Sequence, residues 1–112
     1  MHPAILTEYI RKRMEELGYG ENYHLRLRHI AVPSDIVTTL DVENQLLILL
    51  QPVEMIRIES DLGVFQLNGN RRTVFELQYE HTGRIRIENM GSHNPIHLQF
   101  LQVIGVDRKP AP

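Results

Sequence analysis

Residues 46–50 read LLILL, the longest uninterrupted apolar run in the chain. Side chains along a β-strand alternate between the two faces of a sheet, so five consecutive apolar residues cannot all enter one core. We therefore predict a strand that is buried on both faces, or one that has a face against another subunit. The run consists of Leu46, Leu47, Ile48, Leu49 and Leu50.

Short alternating segments flank this run on both sides. Residues 23–32 read YHLRLRHIAV, with Leu25 and Leu27 on one face and polar side chains on the other. Turn formers separate the segments, as at Glu43-Asn44 and Asn68-Gly69. Further strands are predicted at residues 36–42, 55–59, 64–67 and 96–104, the last with a β-bulge near Phe100, where the alternation slips by one residue.

Residues 73–89 predict a β-hairpin with its loop at His81-Thr82-Gly83. In that register Glu80 faces Arg84, an opposite-charge pair, and Tyr79 faces Ile85 on the other face. A single register that satisfies both faces favours this pairing.

The N-terminal segment has helical periodicity. Leu6, Ile10 and Met14 recur at helical spacing within residues 3–17, and Gly18 follows where a left-handed C-cap belongs. We expect one helix packed near the first strand, in a single domain of residues 1–106 with a flexible tail at 107–112. The predicted fold is mainly β, an antiparallel jelly-roll-like β-sandwich of seven or eight strands with one N-terminal α-helix.

The composition narrows the function classes. The 112 residues carry a formal charge of −2 and no cysteine, which excludes disulfides and thiolate metal sites. A nucleic-acid partner is not expected, because such proteins show a strong basic excess. Charged residues in the first 17 positions argue against a signal peptide, and no apolar run approaches the ~20 residues that span a bilayer, so we expect synthesis in the cytoplasm.

Residues with reactive side chains form no recognised motif. His93 and His97 are four residues apart, whereas His24 and His29 bracket the first strand on opposite faces. Metal sites need three or four converging ligands, and the glycine–histidine–glutamate pattern of cupin-type sites is missing. Ser34, Ser60 and Ser92 occupy turn-like positions, which favours backbone hydrogen bonding over nucleophilic catalysis. We therefore predict no catalytic residue, no cofactor and no metal ligand set.

These observations favour a non-enzymatic assembly protein. It would self-associate, or dock with other protein subunits in a larger particle, by analogy with small jelly rolls of phages and virions. The alternatives are a carbohydrate- or small-ligand-binding module and a metal-dependent cupin-like enzyme. The predicted interface comprises Leu46, Leu47, Ile48, Leu49 and Leu50 with Leu6, Ile10 and Met14 of the helix. Weaker ligand-binding candidates are His93, His97, Tyr19 and Tyr23.

Overall fold

The computed structural model describes residues 3–67, 76–91 and 93–106. Within these ranges one helix precedes seven strands that form a single sheet in the order β1-β7-β2-β6-β3-β4-β5. All pairings are antiparallel, which confirms the prediction of a mainly β fold with one N-terminal helix. The elements are α1 (Pro3–Glu16), β1 (Tyr23–Val32), β2 (Thr38–Leu49), β3 (Ile56–Ser60), β4 (Gly63–Leu67), β5 (Glu76–Leu77), β6 (Glu80–Asn89) and β7 (Ile96–Gly105).

The sheet is open, so a sandwich of two separate sheets is not confirmed, but it curls strongly. The Nδ2 of Asn89 donates a hydrogen bond to the carbonyl of Val32 at 3.3 Å. Because β1 and β6 are three positions apart in the sheet, a flat sheet would separate them by roughly 14 Å. The curl encloses the main core, which consists of Ile30, Val32, Val42, Leu47, Leu49, Ile56, Ile58, Phe65, Ile85, Ile87, Ile96, Leu98 and Phe100.

A bulge in β2 divides its pairing. Residues 38–42 pair with β6 alone, and the register shifts before Leu47 pairs with His81. Residues 45–49 pair with β7 on the other side. The predicted turn at Glu43-Asn44 is therefore wrong, because the chain bulges there without reversing. Asn44 has a φ of 61°, a left-handed conformation that asparagine tolerates better than most residues.

Residues 46–49 of the apolar run lie in the second half of β2 and are covered by the chain itself on both faces, whereas Leu50 follows the strand and is partly buried. Leu47 and Leu49 enter the main core. Leu46 and Ile48 face α1 in a second group, the helix cluster, and none of these four side chains is more than 3% exposed. Of the two alternatives for this run, burial of both faces within one chain is the arrangement found. The helix cluster consists of Ile10, Met14, Tyr19, Leu46, Ile48 and Val103, with Leu6, Leu17, Tyr23 and Leu101 packed against it.

The same double coverage explains the alternation in β7. Its pairing with β1 keeps one register over all ten residues, so the β-bulge predicted near Phe100 is wrong. Leu98 and Phe100 face the main core, whereas Leu101 and Val103 face the helix cluster. The apolar pattern changes phase because α1 covers the second half of the strand.

The predicted hairpin at residues 73–89 is also wrong where the structure describes it. Residues 80–89 form one continuous strand, in which Glu80 pairs with Ile48 and Arg84 pairs with Asp41. Gly83 has a φ of 73° and pairs with Val42 beside the bulge, so the glycine accommodates a strand distortion in place of a turn.

One further predicted feature lies at the end of α1, and three others lie outside the described residues. Gly18 has a φ of 88°, as a left-handed helix C-cap requires. The Asn68-Gly69 turn, Ser92 and the tail at 107–112 lie outside the described residues. Over the ranges that the structure describes, no helix has the length and apolar character needed to cross a membrane.

A polar contact fixes α1 against the start of β6. Arg13 Nε donates to Glu80 Oε1 at 3.0 Å, and the Arg13 guanidinium also binds Glu16 at 2.8 Å. Glu80 is only 7% exposed, so its carboxylate depends on this pairing. Burial raises the pKa of Tyr9 to about 12, with added contributions from a hydrogen bond to Glu80 and from its charge.

Removing one partner of the Arg13–Glu80 contact should lower the free energy of unfolding more than breaking an exposed ion pair does. We expect Arg13→Met to lower the free energy of unfolding by about 2–3 kcal/mol, because it leaves a buried carboxylate without its cation. The matched variant Arg11→Met loses an exposed pair with Glu8 and should change stability by less than about 0.5 kcal/mol. Urea unfolding of both variants measures the difference.

The double variant Arg13→Met/Glu80→Leu should be closer to wild type than Arg13→Met alone, because it no longer buries an unpaired charge. If Arg13→Met and Arg11→Met lower the free energy of unfolding by the same small amount, the Glu80 contact does not stabilise the position of the helix.

Candidate functional site

The described surface has an apolar patch on the edge strand β1. Leu25 is 53% exposed and Leu27 is 73% exposed, although both belong to a regular strand. They pair with Val103 and Leu101 of β7, so they lie on the same face of the sheet as the helix cluster, beside it. We call Leu25 and Leu27 the β1 patch. Adjacent exposed leucines on one face of an edge strand make this patch a candidate contact surface.

The opposite face of β1 is basic over residues 24–28. His24 and Arg26 are exposed and Arg28 is partly buried, and all three follow the alternation that the sequence predicts. Over the described ranges, the salt bridges found involve Arg11, Arg13 and Arg57, and none involves Arg26 or Arg28. Positive charges on an edge strand oppose its pairing with an identical strand.

Two exposed histidines meet farther along the face that carries the β1 patch. His97 Nδ1 and His29 Nε2 are 3.1 Å apart, and the ring planes differ by 16°. The contact is diagonal across the β1–β7 pair, since His29 pairs with Gln99 and His97 pairs with Ala31. Sequence reasoning singled out His97 with His93, but the structure brings His97 to His29.

A serine–histidine pair connects the β3–β4 turn to β6. Ser60 Oγ and His81 Nδ1 are 2.6 Å apart, and His81 Nε2 is 2.7 Å from the carbonyl of Gln78. A carbonyl only accepts, so Nε2 carries the proton and Ser60 donates to Nδ1. A hydroxyl beside an oriented imidazole is the arrangement of a nucleophile and its base.

The surroundings of His81 favour a structural role for this pair. His81 is fully buried, and Ser60 Oγ also accepts a hydrogen bond from the Leu62 amide at 3.3 Å. Burial lowers the pKa of His81, partly opposed by its hydrogen bond to Gln78 and by the charge of Glu80. A neutral imidazole with both nitrogens bonded therefore ties the turn to the sheet.

The remaining candidate ligands do not converge. Tyr19 is 8% exposed and belongs to the helix cluster, where its hydroxyl donates to the Asn44 carbonyl at 3.4 Å. Tyr23 packs against the same cluster, so neither ring stands free to stack on a sugar. His93 is exposed in the loop before β7. Over residues 3–67, 76–91 and 93–106, no three histidine or carboxylate side chains are grouped as a metal site.

Comparisons of the chain with known protein families, with curated proteins and with solved structures found no match. Support for a functional site therefore comes from the geometry of the β1 patch and of the two histidine contacts.

Sequence reasoning missed both histidine contacts. Ser60–His81 and His29–His97 join residues 21 and 68 positions apart in the chain. Each contact depends on strand order, which alternation within single strands does not encode. Alternation did place Leu25 and Leu27 on one face, and that part of the pattern is confirmed.

The lowered pKa of His81 predicts a pH-dependent stability. Below about pH 6.5 the unfolded chain takes up a proton that the folded chain excludes, so stability falls as the pH falls. Between pH 7.5 and 5.5 the wild type should lose about 1 kcal/mol more than His81→Gln, which keeps a polar side chain that does not titrate. Urea unfolding at both pH values measures this difference, and identical losses would contradict a buried neutral imidazole.

Proposed function

We propose that this protein is a non-enzymatic assembly protein that self-associates through the β1 patch. The observation that carries the proposal is the exposure of Leu25 and Leu27, at 53% and 73%, on a strand at the edge of the sheet. Covering such side chains with protein contributes roughly 1.5–3 kcal/mol for each leucine that is fully withdrawn from water.

A second copy of the chain is the partner that fits this patch best. An interface with two-fold symmetry places the same surface on both subunits, so the four leucines of two patches would cover one another. Edge-to-edge pairing of β1 would bring Arg26 and Arg28 of two copies together, which like charges oppose. Packing the patch-bearing faces against each other avoids that repulsion, because the arginines lie on the opposite face.

We also propose that the fold is a variant of the jelly-roll-like sandwich. A strongly curled single sheet around one core is close in architecture to a jelly-roll-like sandwich, a fold that serves as a building block of larger particles. Docking with different subunits in such a particle is the second form of the proposal, in which the same patch contacts a foreign apolar surface.

The oligomeric mass in solution tests the proposal. Light scattering at 10–100 µM should give a mass above that of one chain for the wild type. EDTA is present so that metal ions cannot bridge two copies. Leu27→Asp should give the mass of a single chain with an unchanged circular dichroism spectrum, because the aspartate points into water when the copies separate. Ile36→Asp is the matched control, since Ile36 is 64% exposed but lies in the loop after β1, outside the patch.

A monomeric wild type at 100 µM would overturn self-association. A wild-type assembly that survives Leu27→Asp would overturn the choice of surface. Leu47→Asp calibrates both results, because its side chain is fully buried and the substitution should abolish folding.

A further inference from the structure

We propose that His29 and His97 form a binding site for a divalent transition-metal ion. The proposal rests on the geometry of one chain and does not require self-association. Two imidazole nitrogens face each other at 3.1 Å on neighbouring strands, and both rings are exposed, so an ion reaches them directly from solvent. Strands hold ligands more firmly than loops do.

The distance between the nitrogens fits two ligands of a single ion. With zinc–nitrogen bonds of about 2.0–2.1 Å and tetrahedral angles, two ligand nitrogens are about 3.3 Å apart, and a right angle between the bonds gives about 2.9 Å. The observed separation lies between these values, so a rotation of the rings about their side-chain bonds would point both lone pairs at one ion.

The ligand chemistry selects the class of ion. Imidazole suits Zn²⁺, Cu²⁺ and Ni²⁺, whereas Mg²⁺ and Ca²⁺ prefer oxygen ligands. Without an ion, one of the two facing nitrogens carries the proton of the contact and the other accepts it. On binding, that proton moves to the outer nitrogen of the same ring, so both facing nitrogens donate lone pairs and the neutral pair need not release a proton.

Two protein ligands leave two positions in a tetrahedral shell. Water fills them when the chain binds an ion alone. A second copy that packs its patch-bearing face against the first with the two-fold axis parallel to β1 would bring its own histidine pair to this region, because His29 and the β1 patch share a face of β1. Four imidazoles would then complete the closed shell that is typical of structural zinc sites.

Calorimetric titration with Zn²⁺, on protein without an affinity tag, tests the site. The wild type should bind with a dissociation constant of about 1–100 µM, weaker than four-ligand sites because the chain supplies half of the shell. His29→Ala and His97→Ala should each weaken binding at least tenfold. His24→Ala and His93→Ala are matched controls, because both residues are exposed and neither is grouped with the pair as a third metal ligand, and they should bind within twofold of wild type.

Ring resonances in the NMR spectrum provide a second measurement. The signals of His29 and His97 should shift with Zn²⁺, while those of buried His81 stay in place. The stoichiometry separates the two ways of completing the shell: one ion per chain indicates water, and one ion per two chains indicates a second copy. Wild-type binding no tighter than millimolar would overturn the site, as would an equal loss in His24→Ala or His93→Ala.

Discussion

The structure depends on the burial of both faces of β2 at residues 46–49. Leu47 and Leu49 complete the main core, and Leu46 and Ile48 form the apolar surface against which α1 packs. A strand covered on one face alone would leave two large apolar side chains in water, at a cost of roughly 1.5–3 kcal/mol for each. The position of the helix and the curl of the sheet both follow from covering this strand.

The bulge at residues 43–46 makes that coverage compatible with a single sheet. Before it, β2 pairs with β6 alone; from Gln45 onward β2 pairs with β7, and from Leu47 it pairs with β6 as well. The extra residues let the sheet bend over its own core, so an open sheet encloses side chains that a sandwich would bury between two sheets. On β1 the helix cluster covers Tyr23 but not Leu25 and Leu27, which stay exposed.

The sequence predicted those features that are encoded within single segments. Periodicity located α1, the left-handed Gly18 and the full extent of β1. It failed in β7, where the helix buries the second face, because Leu101 and Val103 under the helix resemble a bulge in a strand with one buried face. It failed again at Thr82-Gly83, whose turn-forming residues lie in a strand that pairs with a distorted neighbour. The pattern within single segments could not predict the histidine contacts either, because these contacts depend on which strands become neighbours.

Residue-resolved hydrogen exchange measured by NMR is the most direct test of the central claim, the doubly covered strand. The amides of Leu46, Leu47, Ile48 and Leu49 should exchange among the slowest in the chain, close to the limit set by global unfolding. The outward amides of β1, at the edge of the sheet, should exchange far faster. Rapid exchange at residues 46–49, comparable to that of the β1 edge, would contradict the account.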